Sequence, residues 1–229
     1  MALPDTLTSI HSSSAGIETQ NAIEEEEITP DEVLRQMRLA WQNEMAAPCL
    51  LPHRYDIVEC LVDQIEGMEE NLLGRTDKAS IRISAHRLEL HRLTYITNDY
   101  MRRRLQKIES NPRRAIRDHV ERLKEGKSAL LSEQEKTFAE RYAKIEAQLM
   151  GKTCLGRIPS HRQLPIFSVI YLRRNVYAEV LEDNAEPAIV PDYQDKTAEV
   201  VVELEKGTVH LLPFQSVQQQ VEQGTVRLL

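Results

Sequence analysis

The side chains that could bind a metal ion are scattered along this sequence. Seven histidines and three cysteines form no HExxH pattern and no Cys/His spacing of the kind that holds zinc. The closest histidine pair, His86 and His91, is five residues apart on a predicted helix, which places the two side chains about 140° apart around the axis. The sequence therefore predicts no metal site, and it offers no cofactor motif.

One tripeptide resembles part of a phosphate-binding loop. Gly151-Lys152-Thr153 matches the end of a Walker A motif, but Glu146 occupies the position of the upstream glycine. The tripeptide also follows a predicted helix, whereas a phosphate loop opens one. We therefore interpret it as a helix end.

The carboxylates lack the partners that catalysis needs. Glu59, Glu66, Glu69 and Glu70 are spaced on a predicted helix, which favours an acidic stripe facing solvent or a partner chain. No GxSxG nucleophile elbow occurs, and no cysteine has an activating neighbourhood. We expect a protein that is not an enzyme.

A basic segment is the candidate for nucleic-acid contact. Three consecutive arginines fan over much of a helix surface and suit phosphates, with a salt-dependent affinity, or acids of a partner protein. No interleaved aromatic residues support base stacking. A stand-alone nucleic-acid-binding protein therefore remains the alternative function. The patch consists of Arg102, Arg103, Arg104, Lys107, Arg113, Arg114 and Arg117.

Charge is segregated along the chain. Residues 1–30 carry six acids and no Lys or Arg, residues 82–117 carry ten bases and three acids, and residues 167–229 carry five bases and ten acids. Such segregation suits a protein that binds others through distinct patches. No apolar run of membrane-spanning length occurs, and the odd, unevenly spaced cysteines suit the cytosol or nucleus.

Helix signals fill residues 29–151. Thr29, Pro30 and Glu32 form a helix start, and Ser132 with Glu135 forms a second capping box. A helix from about residue 55 is expected to end at Gly74 in the left-handed conformation. Asn111-Pro112 separates a long helix from a short basic one (113–123), and Gly151 is expected to end the last helix, whose apolar face carries Phe138, Tyr142, Ile145 and Leu149.

The long helix has more apolar surface than one small domain can bury. It runs about thirty residues, or roughly 45 Å, and its apolar side chains spread over more than one face. Wide apolar coverage argues for burial on several sides, so we expect partner subunits. One predicted stripe is Ile81, Leu88, Tyr95 and Ile96, and it is widened by Ile83, Leu90, Leu93, Met101, Leu105 and Ile108.

Strand patterns replace helix patterns towards the C-terminus. "FSVIYLRR", "VYAEVL", "TAEVVVEL", "TVHLLPF" and "TVRLL" predict short strands. Glu205-Lys206-Gly207 predicts a hairpin turn, and "FQSVQQQVEQG" predicts one or two helical turns. A domain of about 60 residues is small for independent stability, so it is expected to pack on the helical domain or on a neighbour.

The sequence thus predicts an α+β protein. An acidic leader that we expect to be disordered (1–28) precedes a helical domain of about five helices (29–151), a linker (152–165) and a small β-rich domain (166–229). We expect the following residues to divide between the core and partner interfaces: Trp41, Leu61, Ile65, Met68, Leu93, Tyr100, Leu105, Val226 and Leu228.

Several segments together resemble one known family. "TPDEVLRQMRLAWQNEMAAPCLLP", "IVECLVDQIEGMEENL", "YMRRRLQKIE", "LSEQEKTFAERYAKIEAQL" and "VVELEKGTVHLLPFQSVQQQVEQGTVRLL" are similar to the Sld-type subunit, subunit four ("SLD five"), of the GINS complex. The resemblance covers about residues 29–229.

The resemblance implies a non-catalytic scaffold subunit in the nucleus. GINS is a heterotetramer of four related subunits that associates with the MCM ring and the Cdc forty-five protein to form the replicative DNA helicase. It also links that helicase to polymerases and a hub adaptor at the replication fork. Some relatives use a short N-terminal peptide for the adaptor; this leader has "IEEEEI" and no clear copy of that peptide.

Overall fold

The computed structural model describes residues 29–74, 80–153, 155–159, 174–183, 185–191 and 199–229. Within these ranges the protein is α+β, with five helices followed by short antiparallel strands and a sixth helix. The helices are α1 (Pro30–Ala46), α2 (Tyr55–Leu73), α3 (Ile81–Ser110), α4 (Pro112–Lys124), α5 (Glu133–Thr153) and α6 (Phe214–Gln223). The strands are β1 (Asn175–Val180), β2 (Ala188–Pro191), β3 (Glu199–Val202), β4 (Val209–Pro213) and β5 (Val226–Leu228).

The predicted helix starts are present. The Thr29 hydroxyl accepts a hydrogen bond from the Glu32 amide at 3.4 Å, while the Glu32 carboxylate accepts from the side chains of Arg35 and Gln36. At α5 the capping box is reciprocal. The Ser132 amide donates to Glu135 Oε2 at 3.0 Å and the Glu135 amide donates to Ser132 Oγ at 3.2 Å, so two helix-end donors are satisfied.

The first three helices share an aliphatic core. Its buried residues include Met37 and Leu61, each 0% exposed, together with Ile65, Leu93 and Tyr100. Met68 and Leu72 of α2 also pack against this core. Burial of such side chains, at about 1.5–3 kcal/mol each, holds the helical region together.

The break after α3 comes from a local hydrogen bond. The Asn111 side chain accepts from the Arg114 amide at 3.1 Å, and Pro112 occupies the first helical position of α4. The chain turns there, and α4 and α5 pack beside the end of α3 around Ile108 and Ala139, both 0% exposed. The predicted break is confirmed.

The β region forms two small sheets. One has the order β4-β1-β5 and the other pairs β2 with β3, and all pairings are antiparallel. Their inner faces and α6 enclose a second core that includes Phe214, Val217 and Val226, each 0% exposed. Gly224 ends α6 at φ +83°, a left-handed conformation that glycine adopts without steric cost.

The two regions are joined by apolar and polar contacts. Ala47 and Leu51, from the end of α1 and the following connector, belong to the core of the β region. The Leu228 amide donates to Asn43 Oδ1 at 2.8 Å. Arg122 of α4 bonds Glu222 of α6 through two N–O contacts of 2.9 and 2.7 Å. The expectation that the small β region packs on the helical region is confirmed.

Some local predictions are wrong. Gly74 has φ −71° and is not left-handed, and α5 continues through Gly151 to Thr153. Residues 205–207 do form a turn, with Gly207 at φ +78°. The turn is not a hairpin, because β3 pairs with β2 while β4 pairs with β1. Strand β2 was not predicted, and most of the expected strand 167–174 lies outside the described residues.

Candidate protein-docking surfaces

Most of the predicted partner residues lie inside this chain. Those that are buried at 9% exposure or less are Leu61, Ile65, Leu93, Tyr100, Val226 and Leu228. Trp41, Met68 and Leu105 are partly exposed. The six buried residues therefore belong to the core of this chain. An interface role stays a prediction for Trp41, Met68 and Leu105.

Trp41 is fixed at the junction of α1 and α3. Its indole Nε1 donates to Asp99 Oδ2 at 2.8 Å, and its ring meets the Tyr95 ring edge-on with centroids 6.4 Å apart. Asp99 is 6% exposed and also faces Arg103 at 3.5 Å. Because Tyr95 is 60% exposed, this junction opens onto an aromatic surface.

The C-terminal half of α5 carries an apolar stripe without cover among the described residues. Tyr142, Ile145 and Leu149 follow the helical spacing of three and four residues. They are 37%, 63% and 57% exposed. Phe138, one turn earlier, packs into the core beside α4. The stripe therefore begins in the core and continues onto the surface, which is unusual for a helix that serves its own domain alone.

A second stripe lies on α3. Ile81, Leu88 and Tyr95 recur every seven residues and are 87%, 72% and 60% exposed. The opposite face of α3 is buried against α1 and α2 through residues such as Leu90 and Leu93. The predicted spread over more than one face is confirmed, but Ile96 of the predicted stripe is buried in the core with Leu90 and Leu93.

Part of the outer face of the three-stranded sheet is also apolar, beside the ion pair of Glu179 and Arg227. Tyr177 lies directly opposite Leu211 in the β1–β4 register, and these two residues are 57% and 54% exposed. Val209 of β4 is 52% exposed. Sequence reasoning did not single out these residues. The available signal was apolar side chains on both faces of β1 and β4, where a solvated face is usually polar.

The predicted basic patch is smaller than its sequence suggests. Arg104 is 0% exposed, and Lys107 points inward to the Glu44 carboxylate and to the backbone oxygen of Cys49. Neither side chain is available to a phosphate, so the structure removes both from the patch. Arg102, Arg103, Arg113 and Arg117 are exposed, and Arg114 is half-buried beside Asp118.

Arg104 is the centre of a buried polar network. Its guanidinium contacts Glu135 at 2.7 and 2.9 Å and Glu44 at 3.0 Å, and it donates to the backbone oxygens of Leu51 and Leu130. Burial opposes its charge, but the Glu135 hydrogen bonds and the nearby Glu44 charge raise the pKa of Arg104. Burial likewise opposes ionisation of Glu135, yet Arg104 holds the pKa of that carboxyl below its usual value.

Two further groups in this region have raised pKa values. Burial raises the pKa of the Tyr100 hydroxyl to about 12, and burial raises the pKa of the Cys49 thiol to about 11. Both groups are therefore neutral at physiological pH, and Cys49 is a weak nucleophile. The perturbed groups belong to a packed network rather than an open cleft, which favours a structural role over chemistry.

Within the described ranges, no cluster of three or more His, Cys, Asp or Glu side chains is arranged to hold a metal ion. No described helix is both long and apolar enough to cross a membrane. The described residues present exposed apolar helix and sheet faces around an interior that the Arg104 network holds together.

Comparison with known proteins assigns the family. The chain is 32% identical to the human DNA replication complex GINS protein SLD5 over 218 residues, which cover 93% of this chain and 96% of the relative. The mouse protein of the same name is 31% identical over 224 residues, with the same coverage of 93% and 96%. An Arabidopsis thaliana relative is 26% identical over 208 residues, covering 84% of this chain and 89% of the relative. Residues 172–229 match the family model described as the C-terminus of the DNA replication complex GINS protein SLD5. The chain belongs to the SLD5 family of DNA replication complex GINS proteins.

Proposed function

We propose that this protein is a non-catalytic scaffold subunit of a heterotetrameric GINS complex in the nucleus. In this role it holds three related subunits. The assembled complex associates with the MCM ring and the Cdc forty-five protein to form the replicative DNA helicase. Contacts to polymerases or an adaptor at the fork belong to the same proposal. The relatives' names and their near full-length alignment support membership of the complex.

The observation that carries the scaffold role is the exposed stripe on α5. Three large side chains, Tyr142, Ile145 and Leu149, lie on one helix face beyond the point where the helix leaves its own core. Permanent interfaces between subunits resemble a core cut in half, and this stripe continues the core in that way. A partner helix laid along α5 would bury it.

Glu135 connects this helix to the rest of the molecule. It caps the start of α5 through Ser132 and holds Arg104 of α3. The direction of α5 is therefore fixed by a buried, bidentate ion pair. A rigid helix presents its apolar stripe at low entropic cost to a partner, which suits a subunit whose work is holding other chains in place.

Co-expression with the other three candidate subunits tests the proposal. Sizing of the purified material should give one species that contains all four chains. Ile145→Glu and Leu149→Glu should each reduce recovery of the partners, because each places a charge in an apolar interface. Ala147→Glu, at an exposed position about 160° around the same helix from both Ile145 and Leu149, is the matched control and should assemble normally. The scaffold role would be refuted if the chain purified alone as a folded monomer and bound none of the three candidate subunits.

A further inference from the structure

The stripe on α3 differs from the stripe on α5 in its charge. Arg92 follows Leu88 by four residues and precedes Tyr95 by three, so it shares their face, and Arg102 extends the same line by seven residues. Of the seven Lys and Arg of α3, Arg104 and Lys107 face inward to Glu44. On the stripe itself Arg92 bonds Glu89 and Arg102 is exposed. These two arginines give the apolar face of α3 a basic character, whereas α5 carries four bases and four acids.

The neighbouring helices set the direction from which this face can be covered. Trp41 bonds Asp99 and Glu44 bonds Arg104, so later positions of α1 meet later positions of α3 and the two helices run parallel. Thr29 precedes Trp41 by twelve residues, or about 18 Å of helix. The chain before Thr29 therefore arrives near the level of Leu88.

That preceding segment is acidic and partly apolar. Residues 1–28 contain six acids and no Lys or Arg, with Glu24 to Glu27 directly before Ile28. Glu24 is five residues from Thr29, so an extended chain gives it a reach of about 17 Å. This reach covers Arg92, which lies about four residues or roughly 6 Å along α3 from the level of Leu88, where Thr29 arrives.

We propose that the acidic segment before α1, centred on Glu24 to Glu27, lies on the basic apolar face of α3 formed by Leu88, Arg92 and Tyr95. Its glutamates meet the arginines and its isoleucines cover the exposed stripe. Helix α2, which packs against both α1 and α3, has six acids and no Lys or Arg, so the side of α3 next to α2 repels the segment. In the assembled protein this face then belongs to the chain's own leader, and partner subunits use other surfaces.

A zero-length crosslink tests the contact on the full chain in its purified assembly. Carbodiimide joins carboxylates to amines and does not react with guanidinium groups. Arg92→Lys therefore places a reactive amine on the face of α3 that the acidic segment is proposed to contact. Arg117→Lys on α4 is the matched control. It is exposed and lies about 30 Å from the level of Thr29, estimated from helix rise, beyond the reach of Glu24.

The expected result is an intrachain crosslink from residues 24–27 to the lysine of Arg92→Lys and none to the lysine of Arg117→Lys. The crosslink should disappear near 1 M salt, where the screening length is about 3 Å. Equal crosslinking in both variants, or none in Arg92→Lys, would overturn the proposal. A crosslink joining heavy and light isotopic copies of the chain would also overturn it, in favour of a second copy as occupant. Sizing of the same sample reports separately whether the four-subunit assembly formed.

Discussion

Arg104 and Glu135 form a two-pronged ion pair in the interior, with contacts of 2.7 and 2.9 Å and side-chain exposures of 1% and 4%. The pair links the last third of α3 to the first turn of α5, 31 residues later in the chain. Glu44 of α1 approaches the same guanidinium at 3.0 Å. Three helices and the connector at Leu51 thus meet on one cation.

Arg104→Met should strongly destabilise the protein. The substitution keeps much of the side-chain volume but leaves the buried Glu135 carboxylate without its cation and Glu44 with Lys107 alone. Breaking a buried ion pair in this way costs about 3–5 kcal/mol. The measurement is the denaturant concentration at the midpoint of unfolding of the purified assembly, with the far-ultraviolet signal of its helices as the readout. Arg103→Met is the matched control, because Arg103 is 46% exposed and makes one long contact to Asp99. A midpoint for Arg104→Met equal to that of the control would contradict the role of the network.

The sequence could not have shown this network. Arg104 directly follows two exposed arginines, Arg102 and Arg103, and the three together have the pattern of a surface basic patch. Its partners are 60 and 31 residues away, and pairing over such distances leaves no local pattern. Local signals were better guides elsewhere. The capping residues Ser132 and Glu135 fixed the start of α5, and the spacing of Ile57, Leu61 and Ile65 fixed the buried face of α2.

The strand order shows the same limit of local reasoning. Glu205-Lys206-Gly207 has the composition of a tight turn, and a turn is present with Gly207 at φ +78°. Turn chemistry decides where the chain bends, but the pairing of β4 with β1 comes from burial of Val176 and Leu212 in one core. The spacing of apolar residues in the sequence predicts the stripes of α3 and α5. Whether those stripes are exposed depends on how the other helices pack, which the spacing does not show.

His119 should make stability depend on pH. The Leu131 amide donates to His119 Nδ1 at 3.2 Å, so that nitrogen must be unprotonated, and the side chain is 4% exposed. Burial lowers the pKa of His119 below its usual 6.5, with a smaller contribution in the same direction from Lys136. Since the unfolded chain then binds more protons, stability is fully present above pH 6.5 and falls as pH drops below it.

The check is a set of unfolding midpoints between pH 8 and about pH 5. His119→Gln should flatten the fall that occurs below pH 6.5, because it removes the group that titrates. His86→Gln, at an exposed position of α3, should leave the pH profile of the unmodified protein intact. An unchanged profile in His119→Gln would assign the acid sensitivity to other groups.

Asn43→Ala should loosen the C-terminal strand. Asn43 is 3% exposed, and its Oδ1 accepts from the Leu228 amide at 2.8 Å. Removing the acceptor leaves a buried N–H unpaired, at a cost of about 1–3 kcal/mol. Hydrogen exchange followed by mass spectrometry should show faster exchange in β5 and α6 and little change in α2. Asn98→Ala, at an exposed site on α3, provides the comparison, and equal exchange in both variants would show that Asn43 does not hold the strand.

Deletion of residues 225–229 should abolish assembly. Val226 and Leu228 are 0% and 1% exposed and fill the core between α6 and the sheet, while β5 occupies one edge of β1. Removing them exposes that edge and opens a cavity, and each lost large side chain costs about 2–5 kcal/mol. Co-expression with the partner subunits should then recover partners without this chain. Leu229→Ser is the control, because it removes only the last side chain and keeps β5. Leu229 is 59% exposed and its amide still donates to the Tyr177 oxygen, so this variant should assemble. Normal assembly of the deleted chain would refute the prediction.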